Sequence, residues 1–234
     1  MSGLQEPHSQ PATRAPRPVR PSLWLFAPNR DSQGGSAWYL EGPELDVLVD
    51  VPALSDSNRQ WLQGRRSRQG WIVLTGRQGH GRIRALQAEL QWPVLVQEQE
   101  AYLLPSVPMV TTFAGTHQLA AGLDLFWTPG PSPGACVLHA RAAEAGDGLF
   151  CGRLLVPTAP QSLAPLRRLD TFHWIRQLRS LERLRQWLPP GSPAWIASGA
   201  ALGALRGASL VEQGAALLAG LNLEALSGLQ PEGS

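Results

Sequence analysis

The chain contains no lysine: all 20 of its basic residues are arginine. Schiff-base chemistry and a Walker-type phosphate-binding lysine are therefore closed to it. Cysteine is nearly as scarce. Cys136 and Cys151 make neither a disulfide framework nor a tetrahedral zinc set, and they read as buried, reduced thiols. Charged residues make up only 16% of the chain, with a formal balance of +2, too little to mark a nucleic-acid partner. The nine tryptophans are not interleaved with arginines in the manner of a base-stacking surface. No apolar run reaches the ~20 residues of a membrane span, and the N-terminus lacks a hydrophobic signal core. The expectation is a cytoplasmic protein with no membrane and no nucleic-acid partner.

What is present suits one α/β domain. A chain of 234 residues, 43% of them apolar, is long enough to bury a substantial core. Residues 1–21 carry Pro7, Pro11, Pro16, Pro18 and Pro21 among Ser, Gln and Arg, and read as a disordered tail. The ordered domain is expected over 22–228, with a flexible tail at 229–234. Leu23 to Ala27, Ala37 to Glu41 and Leu45 to Val51 have strand character between Gly and Pro turns. Ser55 or Ser57 is placed to cap a short helix through Leu62, ahead of the charged loop at Arg65, Arg66 and Arg68. Trp71 to Thr75 is an apolar run of buried-strand type, and Ile83, Leu86 and Leu90 recur at helical spacing.

The second half repeats the rhythm. Strands are expected near Met109 to Phe113, Leu123 to Trp127, Cys136 to Ala140 and Leu149 to Cys151. A helix then follows from Phe172, with Phe172, Ile175, Leu178, Leu181, Leu184 and Leu188 on one face, until Pro189-Pro190 stops it. Trp195 to Ala197 forms a last short strand, and the Ala/Leu-rich stretch from Ala200 to Leu226 reads as one or two helices. Strands in both halves, each covered by helices, imply two packed sheets with helices outside.

Four short loops lie at or beside the ends of these strands, where α/β folds gather their chemistry. They are Leu74-Thr75-Gly76-Arg77-Gln78-Gly79-His80-Gly81, Thr128-Pro129-Gly130-Pro131-Ser132-Pro133-Gly134, Leu149-Phe150-Cys151-Gly152-Arg153 and Ser198-Gly199. In order and context they resemble the metal-binding motifs of the metallo-β-lactamase superfamily, which includes the glyoxalase II-type hydrolases. The resemblance spans Leu23 to Gly207 and implies a four-layer αββα sandwich, two mixed sheets covered by outer helices. It also implies that the family's ligand positions fall at Gly76, Gln78, His80, Gly81, Pro131, Arg153 and Ser198, with Asp50 matching a common non-ligand aspartate. The stretch from Thr171 to Leu184 resembles a degenerate branch of the same superfamily.

These positions argue against the usual chemistry. Zinc needs about four N, O or S donors at ~2 Å with one place open for water. Gly76, Gly81 and Pro131 have no side-chain donor, and Arg153 puts a fixed cation where a bridging carboxylate belongs. No cofactor is expected, zinc having been lost. Arg153, with Arg77 and Gln78, is suited instead to a small anion, unless Arg153 is spent in an ion pair with a carboxylate such as Asp50. The expected role is binding of a small anionic ligand or of a protein partner. The alternative is an ester or thioester hydrolase with a reorganised or single-metal site. It would draw on His80, His117, Asp124, Cys136, His139 or Asp147, or on Ser132, Ser198 or Cys151 as nucleophile.

Overall fold

The computed structural model describes residues 15–141 and 144–231. Seven strands form the first sheet in chain order: β1 (Arg17–Arg20), β2 (Leu23–Asn29), β3 (Gly35–Leu40), β4 (Asp46–Val49), β5 (Gly70–Val73), β6 (Val94–Gln97) and β7 (Val110–Phe113). It is antiparallel from β1 to β4 and parallel from β4 to β7. The second sheet is built from β8 (Thr116–Ala120), β9 (Leu123–Trp127), β10 (Cys136–Ala140) and β11 (Gly148–Phe150). A small hairpin, β12 (Val156–Ala159) with β13 (Ser162–Ala164), stands apart, and β14 (Trp195–Ala197) and β15 (Val211–Glu212) complete the sheet. Its order is β15-β14-β11-β10-β9-β8, with β11 and β14 parallel and the other pairs antiparallel.

Helices α1 (Asp56–Gln63) and α2 (Ile83–Leu90) cover the first sheet, while α3 (Trp174–Trp187), α4 (Gly214–Gly220) and α5 (Leu223–Ser227) belong to the second half. The alternation of side chains along each strand decides what lies in which layer. Leu23, Leu25, Trp38, Leu40, Val47 and Val49 join the second sheet and α3 in one core. Their neighbours Phe26, Tyr39, Leu48, Ile72, Val94 and Val96 pack with Leu62, Leu86 and Leu90 of the helices in another. A sheet apolar on both faces is therefore buried on both, as the αββα architecture requires.

Several expectations are met in detail. Ser55 caps α1 by accepting the Asn58 N–H, and α2 spans Ile83–Leu90. His173 caps α3 by accepting the Arg176 N–H at 3.3 Å. Others need correction. Arg17–Arg20 is a strand rather than part of a disordered tail, so the domain begins before residue 22. A Pro-containing segment fits there because β1 lies at a sheet edge with a register shift between Pro18 and Arg20. Arg20 ion-pairs with Glu212 of β15 at 2.6 Å and Arg17 reaches Ser209 at 2.6 Å, so this edge strand also clasps the second sheet. Residues 1–14 and 232–234 of the expected tails lie outside the described residues.

The Arg65–Arg68 loop is not simply solvated. Arg65 lies over the Trp61 ring at 3.5 Å, and Arg68 donates to the fully buried Asp46 carboxylate at 2.6 Å. The expected apolar face of α3 buries Leu178, Leu181 and Leu184 but leaves Phe172 and Ile175 outside. The Ala/Leu-rich end interposes a 3-10 turn (Gly203–Leu205) and β15 before its two helices. No helix among the described residues is long and apolar enough to cross a membrane.

Two buried polar links fix the strand ends. Trp38 on β3, 1% exposed, donates its indole N–H to the Ser198 carbonyl at 2.9 Å and packs edge-on to Phe150, so it joins the two sheets. Asp50, just after β4, has a positive φ of 61° and accepts both the backbone N–H of Thr75 (2.8 Å) and its hydroxyl (2.7 Å). A Cβ at Gly79 would collide with the Asp50 carboxylate, and one at Gly199 would sit 3.1 Å from it. Burial raises the Asp50 carboxyl to about 6, against the lowering influence of Thr75.

Two outcomes follow from these links. Trp38→Phe keeps a ring but leaves a buried carbonyl unpaired and a small void, so unfolding in urea is expected to register a loss of about 2 kcal/mol. A loss under about 0.5 kcal/mol would show that the sheets do not rely on this bond. Because the Asp50 carboxyl is raised on folding, its contribution is most favourable below the unfolded value and is lost as pH rises through about 6. Measured against Asp50→Asn, wild-type stability should decline by about 1–2 kcal/mol between pH 5 and pH 7.5. A parallel pH dependence in both proteins would contradict the assignment.

Candidate functional site

The four loops converge on the strand ends of both sheets, and glycine is what permits their approach. Gly152, with φ 52°, leaves no room for a Cβ against Thr75 of the first loop. Gly130 in the second loop abuts the Gln177 backbone on α3 in the same way. Hydrogen bonds lock this geometry. Gly199 N–H donates to Gly152 O at 2.8 Å, Ser36 N–H to Gly199 O at 3.1 Å, and the Ser180 hydroxyl to Pro129 O at 2.7 Å. At the centre, bounded by Asp50, Gly76, Gln78, Pro131 and Arg153, a space of about 10 Å³ remains. That is about the volume swept by a single water-sized sphere.

The ligand positions do not form a zinc set. Gly76, Gly81 and Pro131 contribute no donor atom at all. Ser198 is committed to the backbone, donating to Leu155 O at 2.8 Å and accepting the Ala200 N–H at 3.1 Å. His80, 9% exposed, faces away toward Glu100, with Nε2 3.5 Å from Oε2. Among the described residues no group of three or more His, Cys, Asp or Glu side chains is placed to hold a metal ion. The donor chemistry thus does not fit the metal that the fold's hydrolases use.

Of the other candidates, His139 and Asp147 come together away from the four loops: His139 Nε2 contacts Asp147 at 2.6 Å and Ser192 at 2.9 Å, while Asp124 pairs with Arg141 at 2.8 Å and His117 lies against Phe113. The Cys136 thiol donates to Leu74 O at 3.4 Å. Cys136 and Cys151 are free thiols on neighbouring strand ends, both buried. Burial pushes the Cys151 thiol up to about 12, so the nearby Arg153 does not make it a nucleophile. Ser132 is fully buried, with its hydroxyl facing the Glu100 carboxylate.

Among the described residues Arg153 makes no ion pair with Asp50; its Nη2 donates to the carbonyls of Ser32 and Gln33, each at 2.8 Å. Nε and Nη1 have no hydrogen-bond partner among the described residues. Burial lowers its pKa from the ordinary value, and a guanidinium stays cationic regardless. Above the small central space opens a hollow of about 240 Å³, with Gln33, Gln78, Pro131, Arg153, Arg168 and Gln177 among its lining residues. Gln78, only 9% exposed, makes no side-chain hydrogen bond among the described residues. Arg77 does not line this hollow; its Nε is 3.9 Å from Glu100.

Three contributors escaped the sequence reading. Glu100 is fully buried, accepts the Gly134 N–H at 3.1 Å and so ties the second loop to His80 and Arg77 of the first. Burial alone would raise its carboxyl, but the facing His80 and Ser132 groups and the Gly134 N–H outweigh that and hold it below the ordinary value. Its only sequence signal is an acidic pair, Glu98 and Glu100, directly after an apolar strand. Gln177 sits on the buried stripe of α3, where a polar residue among Trp174, Leu178 and Leu181 is the informative exception. Arg168 comes from a loop whose position no local pattern discloses.

No protein-family model matches the chain. No curated protein sequence matches it either. Solved structures do. One is a B3 metallo-β-lactamase with an active-site glutamic acid, 15% identical, with a TM-score of 0.61 and coverage of 92% of this chain and 91% of that one. A subclass B3 metallo-β-lactamase from a soil metagenome library is 17% identical, with a TM-score of 0.58 over 88% of this chain and 92% of its own. A quorum-quenching N-acyl homoserine lactone hydrolase is 16% identical, with a TM-score of 0.52 over 72% and 87% of the two chains. The superposition extends over both sheets and the helices outside them. The chain has the metallo-β-lactamase fold.

Proposed function

We propose that this protein is a non-catalytic binder that uses the hydrolase frame to hold a small anion where the fold's enzymes hold metal. The observation that carries the reading is Arg153. It brings a desolvated guanidinium, with two nitrogens uncommitted, into the floor of the hollow. Such a cation repels a divalent metal and grips a carboxylate or phosphate oxygen. Gln78, at one of the ligand positions that the resemblance implies, adds an uncommitted amide beside it. The chemistry of the fold's known hydrolases needs a metal-activated water, and Gly76, Gly81, Pro131 and Arg153 offer no means to hold one. Loop closure here rests on Asp50, Glu100 and the Ser198 hydroxyl instead.

Two measurements test the reading. Acetate and inorganic phosphate, titrated calorimetrically into the full chain, should include at least one binder whose affinity falls about tenfold or more in Arg153→Met. Equal binding by both proteins, or none by either, would overturn it. Purified protein dialysed against zinc should retain less than stoichiometric metal and show background rates on ester, thioester and β-lactam substrates. Tightly held zinc together with turnover would establish the hydrolase alternative.

A further inference from the structure

The hollow over Arg153 carries more information than a positive charge. Its charged lining is Arg153, Arg168 and Asp170, with Arg168 and Asp170 already paired at 3.2 Å. Within the lining, two cations and one carboxylate leave a single positive charge, which Asp50 behind Arg153 offsets in part. A monoanion is balanced there, whereas a dianion would keep one charge uncompensated in a partly enclosed space. The remaining walls include Val156, Pro157, Leu166 and Ala200, which favour an apolar body over a second charged group. At about 240 Å³ the hollow falls below the usual range of drug-sized pockets, roughly 300–1,000 Å³, and suits a metabolite of few heavy atoms.

Two buried amides then set the polar pattern. Gln177, 1% exposed, donates its Nε2 to Leu154 O at 3.0 Å, which fixes its Oε1 as an acceptor with no donor opposite it. Gln78, beside Arg153, has both amide atoms unengaged. A buried acceptor without a partner costs free energy until a ligand supplies the missing N–H or O–H.

We infer that the ligand is a small aliphatic monocarboxylate bearing a hydrogen-bond donor, of the hydroxy acid or acylamino acid class. Its carboxylate meets Arg153 and the Gln78 amide, its hydroxyl or amide N–H satisfies Gln177, and its chain lies along Val156 and Leu166. This inference rests on the anion-binding reading above and makes it more specific.

The test uses two probes that differ by one hydroxyl, 2-hydroxy-4-methylpentanoate and 4-methylpentanoate, with inorganic phosphate as the competing dianion. Titrated into the full chain, the hydroxy acid should bind about tenfold more tightly than its deoxy counterpart. That preference should vanish in Gln177→Met, whereas Gln78→Met, which removes the carboxylate's amide partner, should weaken both acids alike and keeps the assignment testable if the first variant folds poorly. Equal affinity for the two acids, or phosphate binding more tightly than both, overturns the inference. If either of those results is accompanied by Arg153-dependent binding, the anion reading stands without it. Failure of all three probes to bind the wild type removes both.

Discussion

The carboxylate of Asp50 is the pin on which the strand ends close. It sits at the end of a parallel strand in a left-handed backbone conformation and takes two hydrogen bonds from Thr75. Gly79 and Gly199, contributed by the two halves, press against it without side chains. The loops are held to one another by polar links. Here those links are Asp50, Glu100 between the first and second loops, and Arg153 between the third loop and the Ser32–Gln33 turn. Each is a buried or half-buried polar contact, and such contacts specify geometry more than they add stability.

Arg153 stands beside the Gln78 and Gln177 amides and the Arg168–Asp170 pair, so a guanidinium faces amides and one ion pair. The central space measures about 10 Å³, and the larger volume lies outside it, in the hollow beneath the loop from Leu166 to Thr171.

Much of this was legible in the sequence, for physical reasons particular to each element. The strand pattern read correctly because β2 to β6 alternate between two apolar cores, and the four loops stood out because Gly and Pro at close approaches cannot be substituted freely. The absence of donors at Gly76, Gly81 and Pro131 needs no coordinates. Contacts between distant segments were not legible. Nothing local tells that Arg153 turns to the Ser32 carbonyl, 121 residues away, or that Glu100 lies under the second loop. Strand β1 was missed because its proline-rich composition describes an edge strand as well as a disordered arm. Its partners Ser209 and Glu212 lie 192 residues on.

The central claim is that an anion site occupies the place of a metal site, and anomalous diffraction tests it directly. Crystals soaked in bromide should show an anomalous peak within hydrogen-bonding distance of the Arg153 guanidinium and the Gln78 amide. Crystals soaked in zinc should show none within coordination distance of Gln78, His80 or Ser198. A zinc peak coordinated at those residues, with no halide beside Arg153, would contradict the account.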